Sequence, residues 1–416
     1  MITSDLGLSS RLYARSSGPI GVLVANGRVA DPSIALATDL WSKFVDFLEG
    51  DSGAFRASAY ADEVYLCVLA RLLAANVLAE RAILSDSPEL TAILGGPYFR
   101  GHYQLENMVE LDYFGWLFSP ARISVLLPVA REIQRDLYAY DFRARPEEDL
   151  FGQLMAQLAR RSQRKLLGQE WTPAWLASLV AGRCLDGLPE GEAPRIVDMC
   201  CGSGSIIAEV LKATRNRYGL TTIDDLQDVA TGFDIDPLAV GLAKTTWVVA
   251  LAAEIKAATS PIVIPIYHAD SLFAAAPVSA VLPLLGEDDP IPVALDGTVI
   301  RLPHALVNPT YRDLFDRIVD GAYDEARAAQ AKGKAEHLTA DIAREFVKGA
   351  ASISGVPLPE KLEADLGTAV LALTQRMAEL AVANRNGIWA FILRNTYRPG
   401  LLSGQFNGLA THLGLR

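Results

Sequence analysis

The chain has 416 residues, half of them hydrophobic and 21% charged, with a net charge of −11. That length accommodates two or three domains with cores of their own. The hydrophobicity excludes a disordered chain, and the acidic balance excludes a protein whose whole surface grips phosphates, so a nucleic-acid partner must be held by a local patch or another segment.

Residues 1–165 read as a helical N-terminal domain. Ala59 to Leu84 is rich in Leu and Ala, lacks Gly and Pro, and is apolar at helical spacing. Asn107 to Phe118 follows with a Trp and Tyr cluster that reads as core, and Ile123 to Leu137 as another helix. Residues 166–416 read as an α/β core. After Pro194 short apolar runs alternate with helices: RIVDM, a helix from Ser205, VATGFDID, a helix from Leu238, then PIVIPIYHAD. This order predicts a parallel doubly wound sheet. A helical insertion is expected over about 285–385, where Ala- and Leu-rich sequence of mixed charge returns.

The strongest local signal is Val197 to Gly204, an apolar strand ending in Asp198 and a turn, Cys200-Cys201-Gly202-Ser203-Gly204, that opens a helix. Gly202 and Gly204 let a ligand approach the backbone, and the helix start favours an anionic group. The stretch lacks GxGxxG and the P-loop Lys, and taken alone it is also an ordinary tight turn. Asp234, at the tip of the next strand, suits the hydroxyls of a ribose, Ile235 one face of an adenine, and Asp270 the adenine amine. Three acids at successive strand ends mark where open α/β sheets bind ligands.

Together these residues resemble the S-adenosylmethionine-dependent methyltransferases, specifically the DNA adenine-N6 class of restriction–modification systems. D-x-x-C-G-S-G at Asp198 to Gly204, G-x-D-I-D-P at Gly232 to Pro237 and A-D-S-L at Ala269 to Leu272 are similar to its first three motifs. Leu167-Gly168-Gln169-Glu170-Trp171-Thr172-Pro173 resembles the element that closes over the methionine end of the cofactor. The resemblance implies a Rossmann-like methyltransferase sheet. It also implies an S-adenosylmethionine site formed by Thr172, Pro173, Asp198, Cys201, Gly202, Ser203, Gly204, Asp234, Ile235, Asp270 and Ser271. The implied partners are double-stranded DNA, held through a recognition domain outside this chain, and restriction or specificity subunits.

The family's catalytic N-P-P-[YFW] follows its fourth strand, and two places compete for it. Val307-Asn308-Pro309-Thr310-Tyr311 has the letters apart from Thr310. Asn308, Pro309 and Tyr311 are the fallback catalytic set, but Asn-Pro before a charged helix reads first as a turn opener. Gln405 to Ala410 resembles the fourth strand itself, yet the chain continues Thr411-His412-Leu413-Gly414. Loss of one base from a codon run for Ala-Asn-Pro-Pro-Trp yields Ala-Thr-His-Leu-Gly. The expectation is therefore a chain truncated by frameshift at its catalytic motif, with no intact catalytic set.

Other features carry less. The five histidines are scattered without HExxH spacing, so no metal is expected. The four cysteines lack CxxC, and Cys200 and Cys201 read as small core residues in a reducing cytoplasm. Glu287-Asp288-Asp289 reads as a solvated Pro-rich turn, and Arg394, Tyr397 and Arg398 as a small surface patch. The N-terminus lacks an apolar signal, and the longest uncharged stretch, Ser271 to Gly286, is shorter than the roughly 20 residues of a membrane span. A glutamine or RNA amine methyltransferase and a non-catalytic cofactor-binding remnant remain the alternatives.

Overall fold

A computed structural model of the chain describes residues 5–49, 55–83, 87–110, 112–118, 120–143, 151, 172–189, 191–269, 290–334, 339–385 and 388–411, with backbone alone at 44–49, 120–121 and 307. The principal elements, in order, begin with α1 (Arg11–Ala30), α2 (Pro32–Glu49), α3 (Ala57–Ala79), α4 (Ser87–Gly95), α5 (Pro97–Tyr103), α6 (Pro120–Leu137) and α7 (Ala174–Asp186). Then come β1 (Ile196–Asp198), α8 (Ser205–Tyr218), β2 (Ala230–Asp234), α9 (Pro237–Ala250) and β3 (Ile266–His268). The hairpin β4 (Ile291–Leu295) and β5 (Thr298–Leu302) leads to α10 (Arg312–Lys332), α11 (Ala340–Ser354), α12 (Glu360–Val382), α13 (Trp389–Thr396) and β6 (Gly408–Leu409). The chain divides into two compact units. One is Met1–Ala30, Ala37–His268 and Phe406–Arg416, and the other is Asp31–Leu36 and Ala269–Gln405.

In the first unit, α3 is the central helix. It is buried from Val64 to Leu78 on all sides, as a helix apolar around its whole circumference must be. Its one amide is satisfied inside the core. Asn76 Nδ2 donates to Gln134 Oε1 of α6 at 2.6 Å, Gln134 Nε2 donates back at 3.0 Å, and the Ile83 N–H reaches Asn76 Oδ1 at 3.0 Å.

The sheet of this unit has the order β3-β2-β1-β6, and every pairing is parallel. All four carboxyl ends therefore lie along one edge, and the turns after them face the same side. The crossovers β1–α8–β2 and β2–α9–β3 run in the same direction across the sheet, and α8 packs on α9. β6 is short but firmly tied. Asn407 Oδ1 accepts the Arg195 N–H at 2.8 Å, Asn407 Nδ2 donates to the Ala193 carbonyl at 2.9 Å, and the Ala410 N–H donates to the Val197 carbonyl at 3.0 Å. The segment Gln405 to Ala410, expected as the fourth strand, pairs with β1 through Gly408 and Leu409.

In the second unit the charged stretch forms three helices, α10 to α12, which pack on one another through small residues such as Ala322, Ala343 and Ala369. The antiparallel hairpin β4–β5 lies inside the stretch that the sequence reading assigns to a helical insertion over about 285–385, and is strand where helix is expected. Asp296 and Gly297 have φ of 47° and 82°, the two left-handed residues that a two-residue hairpin turn requires.

Candidate functional site

The turn after β1 is built by the chain's own backbone. The Cys201 N–H donates to the Phe233 carbonyl at 2.9 Å, and the Gly204 N–H donates to the Cys201 carbonyl at 2.9 Å. Gly202 and Gly204 have φ of 54° and 91°, in the left-handed region where side chains strain the backbone. The two glycines serve different ends. A Cβ on Gly204 would stand 3.2 Å from Ala243 Cα of α9, whereas one on Gly202 would meet nothing within 4 Å. Gly204 is therefore demanded by packing, and Gly202 leaves room above the turn.

Asp234, at the end of β2, holds this turn. Its Oδ2 accepts the Gly202 N–H at 2.7 Å and its Oδ1 accepts the Asp236 N–H at 2.9 Å. Asp236 in turn accepts the Leu238 N–H at 2.9 Å and caps α9. Asp198, at the end of β1, is buried and accepts the Cys200 N–H at 3.2 Å. Burial pushes the Asp198 carboxyl up to about 7, helped by the charge of Asp234 and opposed by the Cys200 N–H and the nearby Thr411 hydroxyl. Asp234 is pushed up to about 7 as well, first by burial and then by Asp236, against the N–H groups it accepts. Two carboxyl groups raised toward neutrality at neighbouring strand ends, one of them bonded to the Gly202 N–H, favour a ligand that brings positive charge and hydroxyl donors.

The neighbouring tips complete the edge. His268, the last residue of β3, has Nε2 2.8 Å from the Ile235 carbonyl. Burial drives the imidazole down to about 4, against the Ile235 carbonyl and Glu110, so the ring is neutral and Nε2–H donates. Tyr113 stands edge-on to it, with ring centroids 5.6 Å apart. The segment carrying Tyr113 is anchored by Lys244, whose Nζ donates to the Asn107 carbonyl at 2.7 Å and to the Glu110 carboxylate. Neither His268 nor the Lys244–Glu110 pair is singled out by the sequence. The one available signal was a His at the tip of a strand, one residue before Ala269-Asp270.

The structure thus brings together Asp198, Cys201, Gly202, Ser203, Gly204, Asp234 and Ile235. Cys201 is buried under the turn, while Cys200 is exposed. This corrects the reading of both as core residues: Cys201 faces β2, where Gly232 leaves space for it, and the adjacent side chain is thereby turned to solvent. Thr172 and Pro173 lead into α7, and the Pro173 carbonyl accepts the N–H groups of Leu176 and Ala177 at 2.9 and 3.0 Å. Asp270 and Ser271 lie outside the described residues, as do 167–171. Asn308, Pro309 and Tyr311 belong to the second unit. There Asn308 Oδ1 accepts the Thr310 N–H at 3.0 Å and Pro309 starts a short turn running into α10, the geometry of a helix start.

Among the described residues, no group of His, Cys, Asp or Glu is placed to hold a metal ion, and no single helix is long and apolar enough to cross a membrane. The class is a mixed α/β protein with a parallel four-stranded sheet whose candidate site lies at the strand ends. Residues 147–274 match the family model of the N-6 DNA methylases, which supports an adenine-N6 DNA methyltransferase; the match spans less than half of the chain. No curated protein matches the chain.

Proposed function

We propose that the first unit binds S-adenosylmethionine over the Gly202 turn, as the cofactor-binding part of a cytoplasmic DNA adenine-N6 methyltransferase in a restriction or defence system. The observation that carries this is the turn itself: Asp234 holds Gly202 at a left-handed backbone angle with open space where a Cβ would be. When bound, the cofactor supplies an electrophilic methyl group on a sulfonium. Asp234 accepts ribose hydroxyls on the lone pairs its own loop leaves open, and Asp198 faces the methionine end. Ile235 covers one face of the adenine, and Asp270 accepts the adenine amine. Thr172 and Pro173 close the methionine end, and Cys201, Ser203 and Ser271 shape the walls. Double-stranded DNA, with restriction or specificity subunits, is the partner this reading assigns. In an acidic chain its phosphates are held by a recognition segment other than this site.

The test is calorimetric titration of the chain with S-adenosylmethionine. Saturable binding that is lost in Asp234→Ala supports the site, and binding of equal affinity in that variant refutes it.

One observation favours a second reading, binding without transfer. β6 leads into Ala410-Thr411, with a buried Thr411 hydroxyl beside Asp198, where the family's motif begins with Asn. Radiolabelled methyl transfer to adenine-containing duplex DNA separates the two, and its loss in Asn308→Ala assigns the chemistry to Asn308, Pro309 and Tyr311. The frameshift reading is tested by the nucleotide sequence across codons 405–416. A one-base shift that opens Asn-Pro-Pro-Trp supports it, and the lack of any such frame removes it.

A further inference from the structure

The second unit carries an open sheet edge on its β4–β5 hairpin. The two-residue turn Asp296-Gly297 sets the register of β4 and β5 as Leu295↔Thr298, Ala294↔Val299, Val293↔Ile300, Pro292↔Arg301 and Ile291↔Leu302. In an antiparallel ladder of this register the pairs alternate, and the pair flanking the turn exchanges hydrogen bonds. The main-chain groups of Ala294 and Pro292 therefore point outward from β4, and those of Val299 and Arg301 outward from β5. The outer edge of β4 lacks a donor at Pro292, the usual way of blunting an edge. The outer edge of β5 has no such block, and the N–H and C=O groups of Val299 and Arg301 have no partner among the described residues.

A groove of about 860 Å³ runs along this edge. One wall is β5 from Thr298 to Arg301, and the other is the face of α12 that carries Thr368, Ala372 and Gln375. The two walls are tied together at the hairpin turn by two arginines. Arg376 Nη2 donates to the Asp296 carbonyl at 3.0 Å, and Arg385 grips the Asp296 carboxylate through two hydrogen bonds of 2.9 and 2.8 Å. The hairpin is thus clamped at its turn against α12, and the groove is pre-formed.

We infer that this groove binds an extended segment of a partner protein, added as a third strand along β5, with an acidic side chain opposite Arg301. Main-chain pairing to Val299 and Arg301 supplies the register. Side chains on the outer face then meet Val299, which is 58% exposed, and the Arg301 guanidinium, an exposed cation with no partner among the described residues. A β-branched residue suits the first and a carboxylate the second. The alternate side chains turn toward Ala372 and Thr368, whose small size admits a medium apolar group. The groove carries both signs, Lys361 and Arg376 beside Asp365 and Glu379, so the open main-chain groups of β5, which pair with a peptide backbone, are what argue for peptide over nucleic acid.

The probe is a fluorescein-labelled, capped peptide Val-Thr-Val-Glu-Val-Thr, titrated against the full chain by fluorescence anisotropy. Three controls accompany it: the Glu-to-Lys peptide, the same peptide N-methylated at alternate residues, and a single-stranded oligonucleotide. The expected result is saturable binding of the Glu peptide, weaker by about fivefold or more for the Lys peptide and lost on N-methylation. Arg301→Glu should reverse the charge preference. Val299→Pro should abolish binding while leaving the circular-dichroism melt unchanged. No saturable binding of the Glu peptide, indifference to N-methylation or to Arg301→Glu, or equal capture of the oligonucleotide would overturn the inference. Dimerisation by sedimentation that Val299→Pro removes would overturn it too, by assigning the edge to a second copy of this chain.

Discussion

Asp234 Oδ2 accepts the Gly202 N–H at 2.7 Å, so the tip of β2 holds the glycine turn that follows β1. One carboxylate therefore shapes the loop through both of its oxygens. Replacing it by Ala leaves the Gly202 and Asp236 N–H groups without their acceptor, at a cost of about 1–3 kcal/mol, and removes the acceptor assigned to the ribose. Asp234→Asn keeps the volume and one acceptor oxygen. The expected order of thermal stability is wild type, Asn, Ala, with S-adenosylmethionine affinity weakened in both variants. Equal melting temperatures for all three would contradict the role of Asp234 in holding the turn.

The two glycines of the turn should separate stability from binding. Gly204→Ala adds a Cβ 3.2 Å from Ala243 Cα at a φ of 91°, so destabilisation of about 1–3 kcal/mol is expected in denaturant titration. Gly202→Ala meets open space at a φ of 54°, and strain of about 1 kcal/mol is its main cost. Its larger effect should fall on cofactor affinity, because the new methyl occupies the space over the turn. If Gly202→Ala lowers stability as far as Gly204→Ala while affinity stays intact, the assignment of that space to a ligand fails.

These features were legible because they are local. A strand ending in an acid, a glycine turn and a helix start sit within a few residues of one another, and the sequence order Val197 to Ser205 specifies them. The hairpin was also written locally, as Asp296-Gly297 between two alternating runs, but Pro290, Pro292 and Pro303 interrupt that pattern, and the stretch reads as the start of the helical insertion. Pro292 turns out to occupy an outward-facing edge position, where a missing N–H costs the ladder nothing. Contacts that join distant segments left no trace in the sequence. His268 meets the carbonyl of a residue 33 positions away, and Lys244 meets Glu110 at a separation of 134. Only the fold brings such pairs together.

His268 is expected to act by position rather than by charge. Its neutral Nε2–H holds the Ile235 carbonyl, and with it the residue assigned to the adenine face. Its ring should show no titration above about pH 5 in an NMR experiment, since burial holds it down to about 4. His268→Phe should weaken binding of S-adenosylmethionine while leaving the fold intact by circular dichroism. A ring that titrates near 6.5 would show that it is neither buried nor fixed to Ile235.

The paired acids give the site a pH dependence whose sign follows from the direction of their shifts. Asp198 and Asp234 are raised from 3.8 to about 7, so the folded chain retains protons that the unfolded chain releases above about pH 4. Their contribution to stability is fully present below the unfolded value and is lost as pH rises through 7. Without ligand, the melting temperature should therefore fall between about pH 4 and pH 7 and level off above it, and Asp198→Asn, which cannot ionise, should flatten that fall. A cationic ligand works in the opposite direction, because positive charge beside the two carboxyls favours their ionised forms. Binding of S-adenosylmethionine near pH 7 should then release protons and tighten as pH rises. Calorimetry in two buffers of different ionisation enthalpy measures that release directly. An observed heat independent of the buffer would mean that neither carboxyl responds to the ligand, and the site at the ends of β1 and β2 would have to be reassigned.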